Sequence, residues 1–181
     1  MGRRTVHMAA TIAAFLSIAS FACARQGPPA PSTAAPLTTV FIVRHAEKAT
    51  DPPDNPPLTP AGEVRAATLA KMLANANVTA VYASQFVRAQ KTVEPFAAQH
   101  GLSVTVVNAD DLDGLVHRIL SENAGQTVLV AGHTNTIPQI IQARGGDPIA
   151  PIQDGDYNNM YVVTIPASGK PKVVQLEFGI S

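Results

Sequence analysis

Two short, almost unbroken apolar runs constrain this chain more than any other feature. Val40-Phe41-Ile42-Val43 and Val128-Leu129-Val130-Ala131 are each followed, two residues on, by a histidine, His45 and His133. A β-branched and aromatic run of this length reads as a strand buried on both faces, so its end marks the rim of a covered sheet. Arg44-His45 places a fixed cation and a titratable imidazole at such a rim. Most polar residues that follow a strand only solvate a loop. A second apolar strand ending in histidine weakens that explanation.

Strand-like and helix-like segments alternate along the rest of the chain. Strands are expected at 38–44, 78–84, 102–108 and 126–133, with a β-hairpin over 160–178 that turns at Ser168-Gly169. Helices are expected at 61–75, 85–100, 111–122 and 135–144. The first carries Val64, Ala67, Leu69, Met72 and Leu73 at helical spacing. Thr59 is its expected N-cap, with Pro60 at the first position and Glu63 in the first turn. Gly101 stops the second helix, and Pro138 falls in the first turn of the fourth, where proline is tolerated. The alternation implies an α/β fold, a three-layer α/β/α sandwich around a largely parallel sheet, with a C-terminal β-hairpin. In such sheets ligands bind beyond the carboxyl ends of the strands, which is where both histidines fall.

Hydrophobic residues make up 46% of the chain and charged residues 14%, with no net charge. That composition fits one compact domain and supplies no basic field for nucleic acid. The N-terminus differs. Arg3-Arg4 precedes the small, apolar stretch "MAATIAAFLSIASFA" (8–22), which is short for a bilayer-spanning helix and reads as an export signal over 1–24. Cys23, the only cysteine, leaves two readings open: ordinary cleavage after Ala24, or a lipoprotein signal ending at Cys23. Residues 25–36, "RQGPPAPSTAAP", lack the apolar bulk to offset their ordering entropy and read as a linker. The folded domain is expected over 37–181. Its expected location is outside the cytoplasm: periplasmic, lipid-anchored to the cell envelope, or secreted. Membrane contact is expected only through the signal or a lipid anchor.

Arg88, in "YASQFVRAQKT" (82–92), lies early in the helix after the second strand and so should face the same rim. Arg44, His45, Arg88 and His133 together suit a phosphoryl group. Guanidinium forks match phosphate oxygens and stay charged at any working pH, while an imidazole can attack phosphorus and hold it covalently. Flanking cations supply the charge stabilisation that phosphoryl transfer needs.

With these residues in place, the chain resembles the histidine phosphatase superfamily, which includes phosphoglycerate mutases and acid phosphatases. "VRHAEK" is similar to the family's Arg-His-Gly motif, with Ala46 in place of glycine. "LTPAGEVRA" (58–66), "YASQFVRAQKT" and "VLVAGHTNTI" (128–137) resemble three further blocks in the same order. The resemblance implies that His45 is the nucleophile and that Arg44, Arg88 and His133 bind the phosphoryl group. It also implies a compact phosphatase without the insertions of the mutases.

A general acid is the least defined member. The family's compact branch usually carries it after the third strand, which corresponds here to "NADDLDG" (108–114). Asp110 is the first candidate. Asp111 is the second, although it could equally cap the next helix; Asp113, inside that helix, is expected to be solvated. Asp51 and Asp54, on the Pro-rich loop, are outside candidates. Glu47 is expected to be a structural partner of its loop, and Lys48 either attracts anions or is simply solvated. Tyr157, Asn158 and Asn159 lie in the long loop before the hairpin, which could return towards the cleft, but they are read as surface turn residues. His45-Ala46-Glu47 has the His-x-Glu spacing of zinc deaminases but lacks their cysteine ligands, and no HExxH, phosphate-binding glycine loop or G-x-S-x-G is present. The expectation is an exported phosphatase needing neither metal nor cofactor. It would act on a small phosphorylated substrate, not on nucleic acid, through a phosphohistidine intermediate. Two alternatives stay open, a phosphohistidine-protein phosphatase and a silent binder of phosphorylated ligands.

Overall fold

The sheet is built around β1 (Thr38–Arg44), flanked by β4 (Thr127–Gly132) on one side and β5 (Asn159–Ile165) on the other. The computed structural model describes residue 2, residues 36–143 and residues 145–179; apart from residue 2, the expected signal and the linker up to residue 35 lie outside the described residues. With β2 (Val78–Ala83), β3 (Val104–Val106) and β6 (Lys172–Glu177), the strand order is β3-β2-β4-β1-β5-β6. The strands β3, β2, β4 and β1 run parallel, and β5 and β6 add an antiparallel hairpin.

Alternate residues of β1 feed two cores. Val43 packs with Leu129 and with Leu69, Leu73, Val93 and Phe96 of the segments that follow β1 and β2. These segments are helix α1 (Pro60–Met72), with Leu73 as its C-cap, and helix α2 (Val87–Gln99). Val40 and Ile42 point the other way, towards Ile119, Ile137 and Ile140. That layer holds α3 (Leu112–His117), a π-helical stretch Arg118–Glu122 and α4 (Thr136–Gln142). Each such aliphatic side chain contributes about 1.5–3 kcal/mol by leaving water, which is why both apolar runs are buried on two faces.

Three details differ from the sequence reading. The buried face of α1 is Gly62, Ala66, Leu69 and Ala70, while Val64 and Met72 are exposed. Small residues carry that face because α1 lies close to its neighbours, so the bulky positions mislead about its phase. The third strand is only three residues long, a half-exposed edge. The helix expected over 111–122 splits, since its second half widens into the π-helical stretch that turns Ile119 into the core.

The start of α1 is locked to the loop after β1. Thr59 Oγ1 accepts from Gly62 N–H at 3.1 Å, and Thr59 N–H donates to the Glu47 carbonyl at 2.8 Å. Arg65 grips the Glu47 carboxylate with three contacts of 2.8–3.0 Å, the structural role expected for Glu47. A Cβ on Gly62 would run into the Glu47 carbonyl oxygen. Gly62→Ala is therefore expected to cost about 1–3 kcal/mol, the scale of overpacking. The urea midpoint measures it; an unchanged midpoint would mean the loop yields freely.

Candidate active site

Strand register places the two histidines. Arg44 pairs with Gly132 across β1 and β4, so the next residue of each strand, His45 and His133, leaves the sheet beside the other. The His45 N–H extends the ladder to the Gly132 carbonyl at 3.0 Å, and the two rings lie 5.3 Å apart between centroids. Gly132 lets α4 come close, since a Cβ there would sit 3.0 Å from Thr136 Oγ1. On the other side of β4, Ala83 pairs with Ala131. Ser84 therefore emerges next to His133, with its Oγ 2.7 Å from Nε2.

Local bonds fix the state of His45. Its Nδ1 lies 2.8 Å from the Ala46 carbonyl oxygen. A carbonyl only accepts, so Nδ1 carries the proton and Nε2 keeps its lone pair. The Ala46 N–H donates to Thr92 Oγ1 at 2.9 Å, and the Thr92 hydroxyl donates to the Arg88 carbonyl at 2.8 Å. One buried threonine, a helical turn after Arg88, thus ties the histidine loop to the helix that carries the arginine.

The arginines are held from behind. Arg44 is 5% exposed. Its Nη1 donates to the carbonyls of Gln153 and Asp154, both at 2.8 Å, and its Nη2 lies 3.9 Å from the Asp154 carboxylate. The Arg44 guanidinium stacks over the Tyr157 ring at 4.3 Å, and that of Arg88 over Phe86 at the same distance. Phe86 in turn meets the His133 ring edge-on at 5.3 Å. The Nε atoms of Arg44 and Arg88 are buried without an acceptor. A buried unpaired donor costs about 1–3 kcal/mol, more when charged, and an anion at the rim would remove that cost.

Burial depresses the His45 pKa to about 3; the Ala46 carbonyl opposes the shift, while His133, Arg44 and Arg88 add to it. His133 is lowered to about 4 by burial and then by Arg88 and Arg44. Both imidazoles are consequently neutral at ordinary pH, the state a nucleophile requires. Burial and the Arg44 charge also lower the Arg88 pKa, while Tyr157 works against them.

The structure brings Arg44, His45, Arg88 and His133 to one place at the rim. It does not bring Asp110 into contact with them: Asp110 is exposed, and its N–H takes the Asn108 side-chain oxygen at 3.0 Å. Asp111 caps α3 through Gly114 N–H at 3.0 Å and lines a crevice with Ser84 and His133. Asp113, Asp51, Asp54 and Lys48 are exposed. The reading of Tyr157 as a surface turn residue is corrected. It is half-buried beneath Arg44, with its ring centroid 6.1 Å from that of His45. Asn158 and Asn159 do serve the hairpin, accepting from Phe178 N–H and the Gln175 side chain, each at 2.8 Å. Sequence reasoning also gave no role to Ser84, Phe86 or Thr92. All three lie inside the quoted "YASQFVRAQKT", so the segment was legible but their contacts were not.

Because their folded pKa values are depressed, His45 and His133 should stay neutral as pH falls from 8 to 5 and take up protons only near 3 to 4. Their ring-proton NMR shifts should be flat over that range. A midpoint near 6.5 for either would contradict the buried geometry.

Residues 40–113 match the family model of the histidine phosphatase superfamily, branch 1. No curated protein matches the chain. Among solved structures, the protein histidine phosphatase SixA complexed with tungstate is 22% identical, with a TM-score of 0.61 over 77% of this chain and 96% of that one. YhfR of Bacillus stearothermophilus is 16% identical, with a TM-score of 0.63 over 76% and 95%. The alpha-ribazole phosphatase of Shigella flexneri is 14% identical, with a TM-score of 0.62 over 79% and 99%. These likenesses show a shared fold across most of each chain. The assignment is thus carried by one segment: residues 40–113, which hold Arg44, His45 and Arg88, match the histidine phosphatase superfamily, and the rest of the domain shares the fold of the solved structures.

Proposed function

We propose that the protein is an exported phosphatase that hydrolyses a phosphomonoester through a phosphohistidine on His45. The single observation that carries this is the bond from His45 Nδ1 to the Ala46 carbonyl, which leaves a neutral Nε2 lone pair beside two guanidinium groups. Nε2 attacks phosphorus as the ester P–O bond breaks and the leaving oxygen takes up a proton. Water then attacks the phosphorus, the P–N bond breaks, and phosphate departs with His45 neutral again. Arg44, Arg88 and His133 hold the equatorial oxygens, and the arginines supply the positive charge that such a transition state needs. The proposal therefore calls for no cofactor. The names of two structural relatives, a protein histidine phosphatase and an alpha-ribazole phosphatase, support the reaction class.

Asp110 is the proton donor offered by the sequence, and it would need to swing inward to act. Its exposed position favours a second reading, a phosphohistidine-protein phosphatase, because an imidazole leaving group depends less on an acid than an alkoxide does. A silent binder of phosphorylated ligands would share the pocket and fail to turn over. Export rests on the apolar stretch after Arg3-Arg4; N-terminal sequencing of the processed protein should begin near Cys23 or Arg25, and an intact Met1 would remove export from the proposal.

His45→Ala should lower turnover by about 10³-fold or more and abolish an acid-labile phosphoryl adduct in quenched reactions. Retained turnover in that variant, or an adduct on His133, would overturn the assignment. Comparing an alkyl phosphate with a phosphohistidine peptide separates the two readings.

A further inference from the structure

We infer that Tyr157 is a fifth member of the phosphoryl site, its ring seating Arg44 and its hydroxyl donating a hydrogen bond to an oxygen of the transferred phosphoryl group. The inference rests on the phosphatase reading above and goes beyond the four residues that the motifs supply.

Arg44 cannot offer its whole fork to a substrate. Its Nη1 is occupied by the carbonyls of Gln153 and Asp154, both at 2.8 Å. What is left is Nε, which has no partner, and Nη2, which has only a loose 3.9 Å approach to the exposed Asp154 carboxylate. A site for three equatorial oxygens that draws on half of one arginine benefits from another donor. The loop that occupies Nη1 also delivers Tyr157, three residues after Asp154. The guanidinium bond to the loop and the placement of the phenol are thus one arrangement.

Each arginine of the site is backed by an aromatic ring at 4.3 Å, Arg88 by Phe86 and Arg44 by Tyr157. Stacking explains the ring in both cases. It does not explain the hydroxyl, since phenylalanine serves for Arg88. The Tyr157 ring lies 6.1 Å from the His45 ring while stacking on Arg44. Tyr157 therefore stands beside both the proposed nucleophile and Arg44. A phenolic O–H there meets phosphoryl oxygens as a donor, where a carboxylate would repel them.

The test compares Tyr157→Phe, which keeps the ring and removes the hydroxyl, with Tyr157→Ala, which removes both. Two quantities are read: the affinity for inorganic phosphate by calorimetry, and kcat/KM for one alkyl and one aryl phosphate. Tyr157→Phe should weaken phosphate binding and lower kcat/KM by about 10- to 100-fold, the scale of one hydrogen bond to a charged group. The loss should be equal for the two esters, because the contact is to the group they share. Tyr157→Ala should lose more, as Arg44 also loses its backing.

Wild-type phosphate affinity and turnover in Tyr157→Phe would overturn the inference and reduce Tyr157 to a packing ring. Intact phosphate affinity with selective slowing of the alkyl ester would also overturn it, making Tyr157 the proton donor to the leaving group; Asp110→Asn in the same assay reports on the carboxylate. Wild-type protein that turns over no ester would instead remove the phosphatase reading, and the phosphohistidine assay above records that failure separately.

Discussion

The parallel pairing of β1 with β4 is the constraint on which the site depends. Because Arg44 stands opposite Gly132, two histidines that are 88 positions apart in the chain leave the sheet at the same level with their rings 5.3 Å apart. A slip of one residue would turn one of them to the opposite face, since strand side chains alternate. The buried runs prevent that slip: Val40 and Ile42 belong to one core and Val43 to the other, so a shift would exchange the two sets. Packing energy spent on the cores thereby sets the geometry of the rim.

The same burial imposes a cost at the site. Two imidazoles and a nearly enclosed guanidinium sit among apolar residues at the sheet's end. The histidines respond by giving up charge, with pKa values of about 3 and 4. The arginines cannot, because their intrinsic pKa is too high. Their compensation is partial: carbonyls and an aromatic ring for Arg44, an aromatic ring for Arg88, and an unpartnered Nε on each. Such incompletely satisfied positive charge is poor design for stability alone and suits a pocket that meets an anion.

Small polar residues turn four separate side chains into one unit. Thr92 joins the histidine loop to α2, and Ser84 reaches His133. Thr59 and Arg65 hold the far side of the histidine loop through Glu47. The loop before β5 is tied in through Arg44 itself. A motif read as isolated letters is, in space, a set of hydrogen bonds among its own backbone groups. That explains why Ala46 substitutes for the usual glycine without consequence for the fold: its N–H and C=O do the work, and its methyl group is buried with Leu58 and Ala66.

By itself the sequence determined the succession of strands and helices, the α1 cap at Thr59 and the meeting of Arg44, His45, Arg88 and His133 at one rim. Those features are written in local periodicity, in turn residues and in short ordered blocks, each legible within about a dozen residues. Tertiary structure alone decided the rest. It set the phase of α1, because small residues buried by close approach look the same as small residues left exposed. It left Asp110 on the surface, since a position after a strand does not say where a turn aims its side chain. It also brought Tyr157 under Arg44, a contact between residues 113 positions apart in the chain. Hydrogen bonds from a guanidinium to loop carbonyls hold that loop in place, and every residue type has a backbone carbonyl, so no pattern of side chains announces them.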